Sequence, residues 1–233
     1  ITQCKKCLLI QLKYSVPDKL LFPYDYSYLS GNSKEKISNF ETILSKIKTL
    51  SQNKNPQIMD IGSNDGSFLN LVKNKYPKVL GIEPTNTANI SIKRGVNTIK
   101  KALNLELAKK IIAKYSNFDF IVASNIFAQT NNLKEIINSV KLILKQEGLL
   151  IIEVQYLYSL INQKGFDSFH HEHVAYYTLS SITKLFEKYQ LYIFDAEILK
   201  VHGGILRVYA SLDKRKLTKN FKRISKNEND KSI

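Results

Sequence analysis

Asp60, Gly62, Asn64 and Gly66 alternate along one short stretch. They lie between the apolar run Ile58-Met59-Asp60-Ile61 and the helix-like run Ser67-Phe68-Leu69. One strand–helix–strand unit later, a second apolar run, Leu80-Gly81-Ile82, ends on the carboxylate of Glu83. A doubly wound domain holds a nucleoside in this way: glycines let the backbone approach the ligand, and the acid accepts both ribose hydroxyls. The spacing excludes two related devices. A dinucleotide fingerprint needs glycine where Asn64 and Ser67 stand, and a phosphate loop needs Gly-Lys-Ser/Thr before the helix. Asn64 is one of the few non-glycine types that tolerate positive φ, so the turn is expected to close.

The four histidines gather in two places. His170, His171 and His173 lie in Phe169-His170-His171-Glu172-His173, and His202 precedes Gly203-Gly204. An imidazole titrates near neutral pH, so His173 or His171 could act as a general base. Glu172 could orient it or hold a substrate hydroxyl. Two other uses stay open. His171 and His173 could pair as metal ligands on one side of an extended segment, or the histidines could cap a helix that starts at Thr178.

These residues need a scaffold, and the pattern supplies one. Apolar residues at helical spacing (Ile37, Phe40, Ile43, Leu44, Ile47) predict a helix from Ser33 to Leu50, with a polar linker after it. Strands are then expected near 57–61, 78–82, 97–100, 119–124 and 148–154. Helices are expected near 67–75, 87–94, 104–116, 132–147 and 180–189. Such alternation means an α/β fold with a parallel sheet covered on both faces. Two further strand-like runs, 191–199 and 205–211, form a late antiparallel hairpin. From Lys214 the chain is rich in Lys and Asn, and reads as a helix without a partner or as a disordered tail.

Composition narrows the class. At 233 residues and 43% hydrophobic, the chain can bury a full core. No apolar run approaches membrane-spanning length, and nothing at the start reads as a signal peptide, so no membrane partner is expected. Cys4 and Cys7 are the only cysteines. They leave no disulfide framework, which fits a cytoplasmic location. The net charge is +15, but lysine is spread over most helices rather than set in one stripe. That distribution does not point to nucleic acid, while a nucleoside-diphosphate ligand suits a positive surface. With Ile1 first and Met59 the only methionine, the chain is expected to be a piece of a longer protein.

Asp60-x-Gly62-x-Asn64-x-Gly66 resembles motif I of class I S-adenosylmethionine (SAM) methyltransferases, with Asn at the usual middle glycine. A longer set of runs resembles the nucleotide-sugar C-methyltransferases, which act on 4-keto-deoxysugars. The set comprises Cys4-x-x-Cys7-Leu8-x-x-Gln11-Leu12, Tyr24-x-Tyr26-x-Tyr28-x-Ser30-Gly31, Asn125-Ile126-Phe127-Ala128, Glu153-Val154-Gln155-Tyr156, His171-Glu172-His173 and His202-Gly203-Gly204. The resemblance covers nearly the whole chain. It implies a Rossmann-like methyltransferase domain over 33–212, whose parallel sheet ends in an antiparallel hairpin. Residues 1–32 would be the remnant of a zinc-binding lobe that caps the substrate, and 213–233 a basic tail or the start of a further region.

The implied cofactor is SAM, with zinc in the full-length protein held partly by Cys4 and Cys7. The implied reaction is methylation of a carbon beside the ketone through an enolate. His173 would be the base, Glu172 a substrate contact, and His171 and Tyr28 further members of the catalytic group. Asp60, Gly62, Asn64, Gly66, Glu83, Asn125 and Phe127 would form the cofactor site. Tyr26, Tyr28, His170 and His202 would face the sugar. The chain departs from the family at His170, where Tyr is common, and at Ile205, where Ser is common, so the particular sugar stays open. Two alternatives also stay open: an O- or N-methyltransferase of the same fold, or a non-catalytic protein that binds SAM.

Overall fold

A computed structural model of the chain describes residues 1–23, 25–201 and 203–230, without the side chains of Asp18, Lys19 and Phe166. Its first elements are β1 (Thr2–Gln3), β2 (Ile10–Gln11), α1 (Asp18–Leu21) and α2 (Lys34–Leu50). The alternating body follows with β3 (Ile58–Ile61), α3 (Ser67–Lys73), β4 (Val79–Ile82), α4 (Thr87–Lys93) and β5 (Thr98–Ile99). It continues through α5 (Leu105–Tyr115), β6 (Phe118–Ser124), α6 (Ile126–Gln129), α7 (Leu133–Ile143) and β7 (Leu144–Gln155). The chain then forms α8 (Leu157–Asn162), β8 (Ala175–Tyr176), α9 (Leu179–Lys188), β9 (Tyr192–Leu199), β10 (Ile205–Ser211) and α10 (Lys219–Asp230).

Among the described residues, seven strands form one sheet in the order β5-β4-β3-β6-β7-β10-β9. From β5 to β7 all neighbours are parallel, and β10 runs antiparallel to both β7 and β9. The strand order reverses between β3 and β6, so a crevice opens at their carboxyl ends. Strands β3 and β4 are buried at every residue because helices cover both faces. Phe40, Ile43 and Ile47 of α2 pack with Phe68 and Val72 of α3 on one face. Ile111, Val140 and Phe186, from α5, α7 and α9, pack on the other.

Local chemistry sets the helix ends. The Ser33 side chain accepts from Lys36 N and starts α2. Thr178 and Ser181 form a reciprocal capping box at α9, so the histidines before it are not its caps. The helix expected over 132–147 stops at Ile143. Asn117 Nδ2 donates to the carbonyls of Leu142 and Leu144, and Leu144 pairs with Phe118 as strand instead.

The basic end also differs from expectation, because α10 has a partner. Phe221, Ile224 and Glu228 are buried, and α10 packs on β9 and α9. The Glu228 carboxylate accepts from Leu179 N (2.6 Å) and Ser180 N (2.9 Å), the first amides of α9. At the other end, β1 and β2 form a three-stranded sheet with β8, so the first residues are tied to a strand supplied from far along the chain.

Candidate functional site

The crevice is shaped by a turn in which Gly62 (φ 72°), Asn64 (φ 49°) and Gly66 (φ 75°) are all left-handed. Asn64 stands in for glycine as expected, and its side chain has further work. Its Oδ1 accepts from Ser30 N (2.9 Å), and its Nδ2 donates to the Tyr28 carbonyl (3.0 Å). A Cβ at Gly62 would overlap the Ile126 side chain, and one at Gly66 would overlap Ser91 of α4. Gly66 therefore serves helix packing, and Gly62 serves close approach beside the crevice.

Glu83 follows β4 directly. Its Oε2 accepts from Asn64 N (2.9 Å), and its Oε1 accepts from Thr85 N (2.8 Å) and Thr85 Oγ1 (2.7 Å). The acid is thus fixed at the mouth of the turn with only 5% of its surface exposed. Asn125, after β6, is also left-handed (φ 67°), a conformation that costs energy and clusters at functional sites.

A cavity of about 520 Å³ fills the crevice, within the usual range for small-molecule sites. Asp60, Gly62, Asn64, Glu83, Asn125, Tyr26 and Tyr28 all line it, so the structure brings these sequence-derived residues together. Gly66 and Phe127 are not among its lining residues. Phe127 is fully buried with its ring against Phe186 (centroids 5.6 Å apart), and its neighbour Ile126 lines the cavity instead.

Lys36, Ser63, Thr85, Asn104 and Gln129 also line the cavity, and the sequence reading missed them. Lys36 carried a signal. It sits four residues before Phe40 and seven before Ile43, on the inward face of α2. Ser63 Oγ is buried with no hydrogen-bond partner among the described residues. A buried hydroxyl left open beside a glycine cradle and a clamped carboxylate fits a polar, nucleoside-bearing ligand.

Tyr26 and Tyr28 cover one side of the cavity, with ring centroids 6.5 Å apart. Burial and then the Glu172 charge push the Tyr26 hydroxyl up to about 12. Burial and then Asp65 raise Tyr28. Both phenols stay protonated at neutral pH and can donate hydrogen bonds.

The His-Glu-His run is not extended. His173 N donates to the His170 carbonyl (3.0 Å), closing a turn that stacks the two rings with centroids 4.4 Å apart. His171 and Glu172 lie at the corner of that turn, so His171 and His173 do not form the same-side pair that the metal reading required. Glu172 does not orient His173 either. Gln155 does: its Oε1 lies 2.8 Å from His173 Nδ1. That acceptor places the ring proton on Nδ1 and leaves Nε2 free to take a proton.

The titration also differs from expectation. Burial, and then the neighbouring His170, push His173 down from 6.5 to about 4. Among the described residues of the run, none lines the cavity. The run is tied to the cavity wall all the same: Val174 N donates to the Ala128 carbonyl of α6, and Ile126 and Gln129 of α6 line the cavity. His202 and Tyr24 lie outside the described residues.

Cys4 and Cys7 sit in a turn closed by Leu8 N donating to the Cys4 carbonyl (2.9 Å). Backbone hydrogen bonds from Cys7 and Lys6 pull the Cys4 thiol down, and burial pushes Cys7 up. Among the described residues, no group of three or more His, Cys, Asp or Glu is placed to hold a metal ion. Structural zinc takes four ligands. Metal analysis of the dialysed chain is therefore expected to find well under one zinc per chain, and a stoichiometric zinc would show that ligands come from elsewhere. No helix among the described residues is long and apolar enough to cross a membrane.

Comparison with known proteins bears on this site. A family model described as a methyltransferase domain matches residues 36–195. The C-methyltransferase NovU of Streptomyces niveus is 28% identical over 213 residues, covering 91% of this chain and 50% of that protein. The chain thus spans about half the length of the curated relative it matches. Among solved structures, magnesium protoporphyrin IX methyltransferase from Synechocystis PCC 6803 with bound SAH is similar at a TM-score of 0.58 and 10% identity, covering 76% of this chain and 83% of that one. The PH0226 protein of Pyrococcus horikoshii OT3 is similar at 0.60 and 16%, covering 83% and 97%. At such identities the two structures speak for the fold alone: the sheet with a terminal antiparallel hairpin that the sequence predicts.

Proposed function

The chain belongs to the methyltransferase domain family, and from that premise we propose that it transfers a methyl group from SAM to a carbon beside the ketone of a nucleoside-diphosphate 4-keto-deoxysugar. The observation that supports this reading is that two devices lie at the carboxyl end of the parallel strands, the second on a segment tied to the cavity wall through Ala128 rather than lining the cavity. One is the Glu83–Asn64 clamp that suits a ribose. The other is His173, held by Gln155 with Nε2 left as a base. The likeness to a C-methyltransferase supports carbon as the acceptor.

When bound, SAM supplies an electrophilic methyl group and leaves as a neutral thioether. Glu83 would hold its ribose, with Gly62 and Ser63 beside it. The sugar would lie under Tyr26 and Tyr28, near Glu172. The ketone acidifies the neighbouring C–H bond. His173 Nε2 takes that proton, and the resulting enolate carbon is the nucleophile. Tyr26 and Tyr28, both protonated, can donate to the enolate oxygen where the family's tyrosine is replaced by His170. The neutral leaving group needs no general acid, so one base is enough.

The reading is tested by incubating the protein with SAM and a nucleoside-diphosphate 4-keto-deoxysugar in deuterated water. One methyl group gained on carbon, together with exchange of the proton beside the ketone, is the expected result. A methyl group found on oxygen or nitrogen, without exchange, would replace this reading by the alternative chemistry on the same fold.

A further inference from the structure

Three distant parts of the chain hold the segment that carries His173. The ring itself is held at Nδ1 by Gln155 of β7. The next residue, Val174, has both backbone groups engaged. Val174 N donates to the Ala128 carbonyl of α6 (2.8 Å), and the Val174 carbonyl accepts from Leu12 N (3.0 Å). The first two holds come from the sheet and the cavity wall. The third comes from the first residues of the chain.

That third hold is firmly built. Directly before Leu12, β2 pairs antiparallel with β8, with Gln11 opposite Ala175 and Ile10 opposite Tyr176. Leu9 is buried in the same core as Val174, Ala175 and Tyr177, and Ile10 and Leu12 pack against Leu157, Leu160 and Tyr176. Upstream, Cys4 N donates to the Leu9 carbonyl and Leu8 N to the Cys4 carbonyl (2.9 Å each), closing a turn in which Leu8 is left-handed (φ 64°). A leucine persists in that conformation only where its surroundings over-determine it. Among the described residues that line the cavity, none comes from Leu9 to Leu12. The strand therefore meets the His173 segment from behind, away from the ligand space.

We infer that β2 and Leu12 form a positioning strand for the general base, and that the Leu12–Val174 hydrogen bond sets where His173 sits relative to the substrate carbon. The inference rests on the reading of His173 as the base. It gives the first residues a part in proton transfer, separate from any part in covering the sugar. Proton removal is sensitive to such placement: a misplacement of about 1 Å can cost about 100-fold.

The test removes one donor. Leu12→Pro deletes the amide hydrogen and keeps an apolar side chain. Gln11 before it is already in a strand, the conformation that a following proline favours. Leu12→Ala keeps the amide and is the conservative control. Three measurements are made: S-adenosylhomocysteine affinity by calorimetry, exchange of the proton beside the ketone of a nucleoside-diphosphate 4-keto-deoxysugar, and the titration of the His173 ring by NMR. The last needs no substrate. Burial and the neighbouring His170 hold that ring down at about 4, so a loosened seat should let it titrate upward toward 6.5.

Leu12→Pro is expected to slow exchange by about 10- to 100-fold and to leave S-adenosylhomocysteine affinity within about twofold. Its His173 titration should move up from about 4. Leu12→Ala should resemble wild type in all three measurements. Wild-type exchange and titration in Leu12→Pro overturn the inference. So does a parallel loss of S-adenosylhomocysteine binding, or an equal effect of Leu12→Ala, either of which would mark the strand as general scaffolding. Absence of exchange in wild-type protein overturns the base reading instead, and the ring titration alone then decides whether the strand seats His173.

Discussion

Replacing His173 with Asn is expected to abolish methyl transfer, and with it exchange of the substrate proton beside the ketone. A positioned base contributes a factor of about 100 to 10,000, and both rates should fall on that scale. Asn keeps a polar group near Gln155 but offers no nitrogen that can take a proton at neutral pH. S-adenosylhomocysteine should still bind, because the turn at Asn64 and the Glu83 clamp are built by other strands. The exchange assay isolates proton removal from methyl transfer, so it tests the role and not mere importance. Exchange at the wild-type rate in His173→Asn would move the role to His171 or Tyr28.

The pH dependence carries a second signature. The folded His173 titrates near 4, below its usual 6.5, because burial and His170 disfavour its charged form. Its basic form is therefore complete at neutral pH, and exchange should stay flat down through pH 6 and fall only toward 4. Stability follows the same group. Between its folded and unfolded values the unfolded chain binds the extra proton, so the His173 contribution is present above 6.5 and is lost as pH falls from there toward 4. A His173→Asn protein should lack that part of the acid sensitivity.

Glu83→Ala should weaken S-adenosylhomocysteine by about 100-fold or more. Two charge-assisted bonds to ribose hydroxyls are worth about 1.5–3 kcal/mol each before compensation. The carboxylate also holds Asn64 N, Thr85 N and Thr85 Oγ1, so its removal releases the turn that shapes the pocket. Some loss of melting temperature should accompany the loss of binding. Glu83→Gln keeps the shape and one acceptor, and should fall between the two. Calorimetry on folded Glu83→Ala decides the matter: wild-type affinity would remove Glu83 from the site.

The turn and its acid were legible because the backbone itself demands special residues there. Left-handed positions restrict the choice to Gly62, Asn64 and Gly66, and a carboxylate at a buried strand end stands out. Lys36 was hidden by its type. Lysine on a helix reads as solvent-facing, and only its register with Phe40, Ile43 and Ile47 placed it inside. Phe127 looked like a pocket residue because it follows a strand end. The four-residue α6, too short to show a period, turns it into the core and presents Ile126.

Gln155 was missed as the partner of His173 because the contact is made across the fold, whereas Glu172 is adjacent in sequence. The turn at 170–173 separates chain neighbours and closes on itself. The boundary at Ile143 was lost because Leu-Lys-Gln-Glu favours helix, and only pairing with Phe118 overrides it. In α10, a Lys/Asn-rich composition masked three buried positions at helical spacing, Phe221, Ile224 and Glu228.

Asn64 gives the cavity a property that no lining list conveys. Its backbone amide holds Glu83, its side-chain oxygen holds Ser30 N, and its side-chain nitrogen holds the Tyr28 carbonyl. Asp65 adds a bond from Gly31 N and an ion pair with Arg94. The nucleoside clamp and the tyrosine cover therefore share one joint, and their equilibria are coupled. Any free energy by which a nucleoside tightens this joint returns as firmer seating of the cover, and a seated cover raises nucleoside affinity by the same factor. Reciprocity of that kind makes the nucleoside and the sugar each strengthen the other's binding, whichever arrives first.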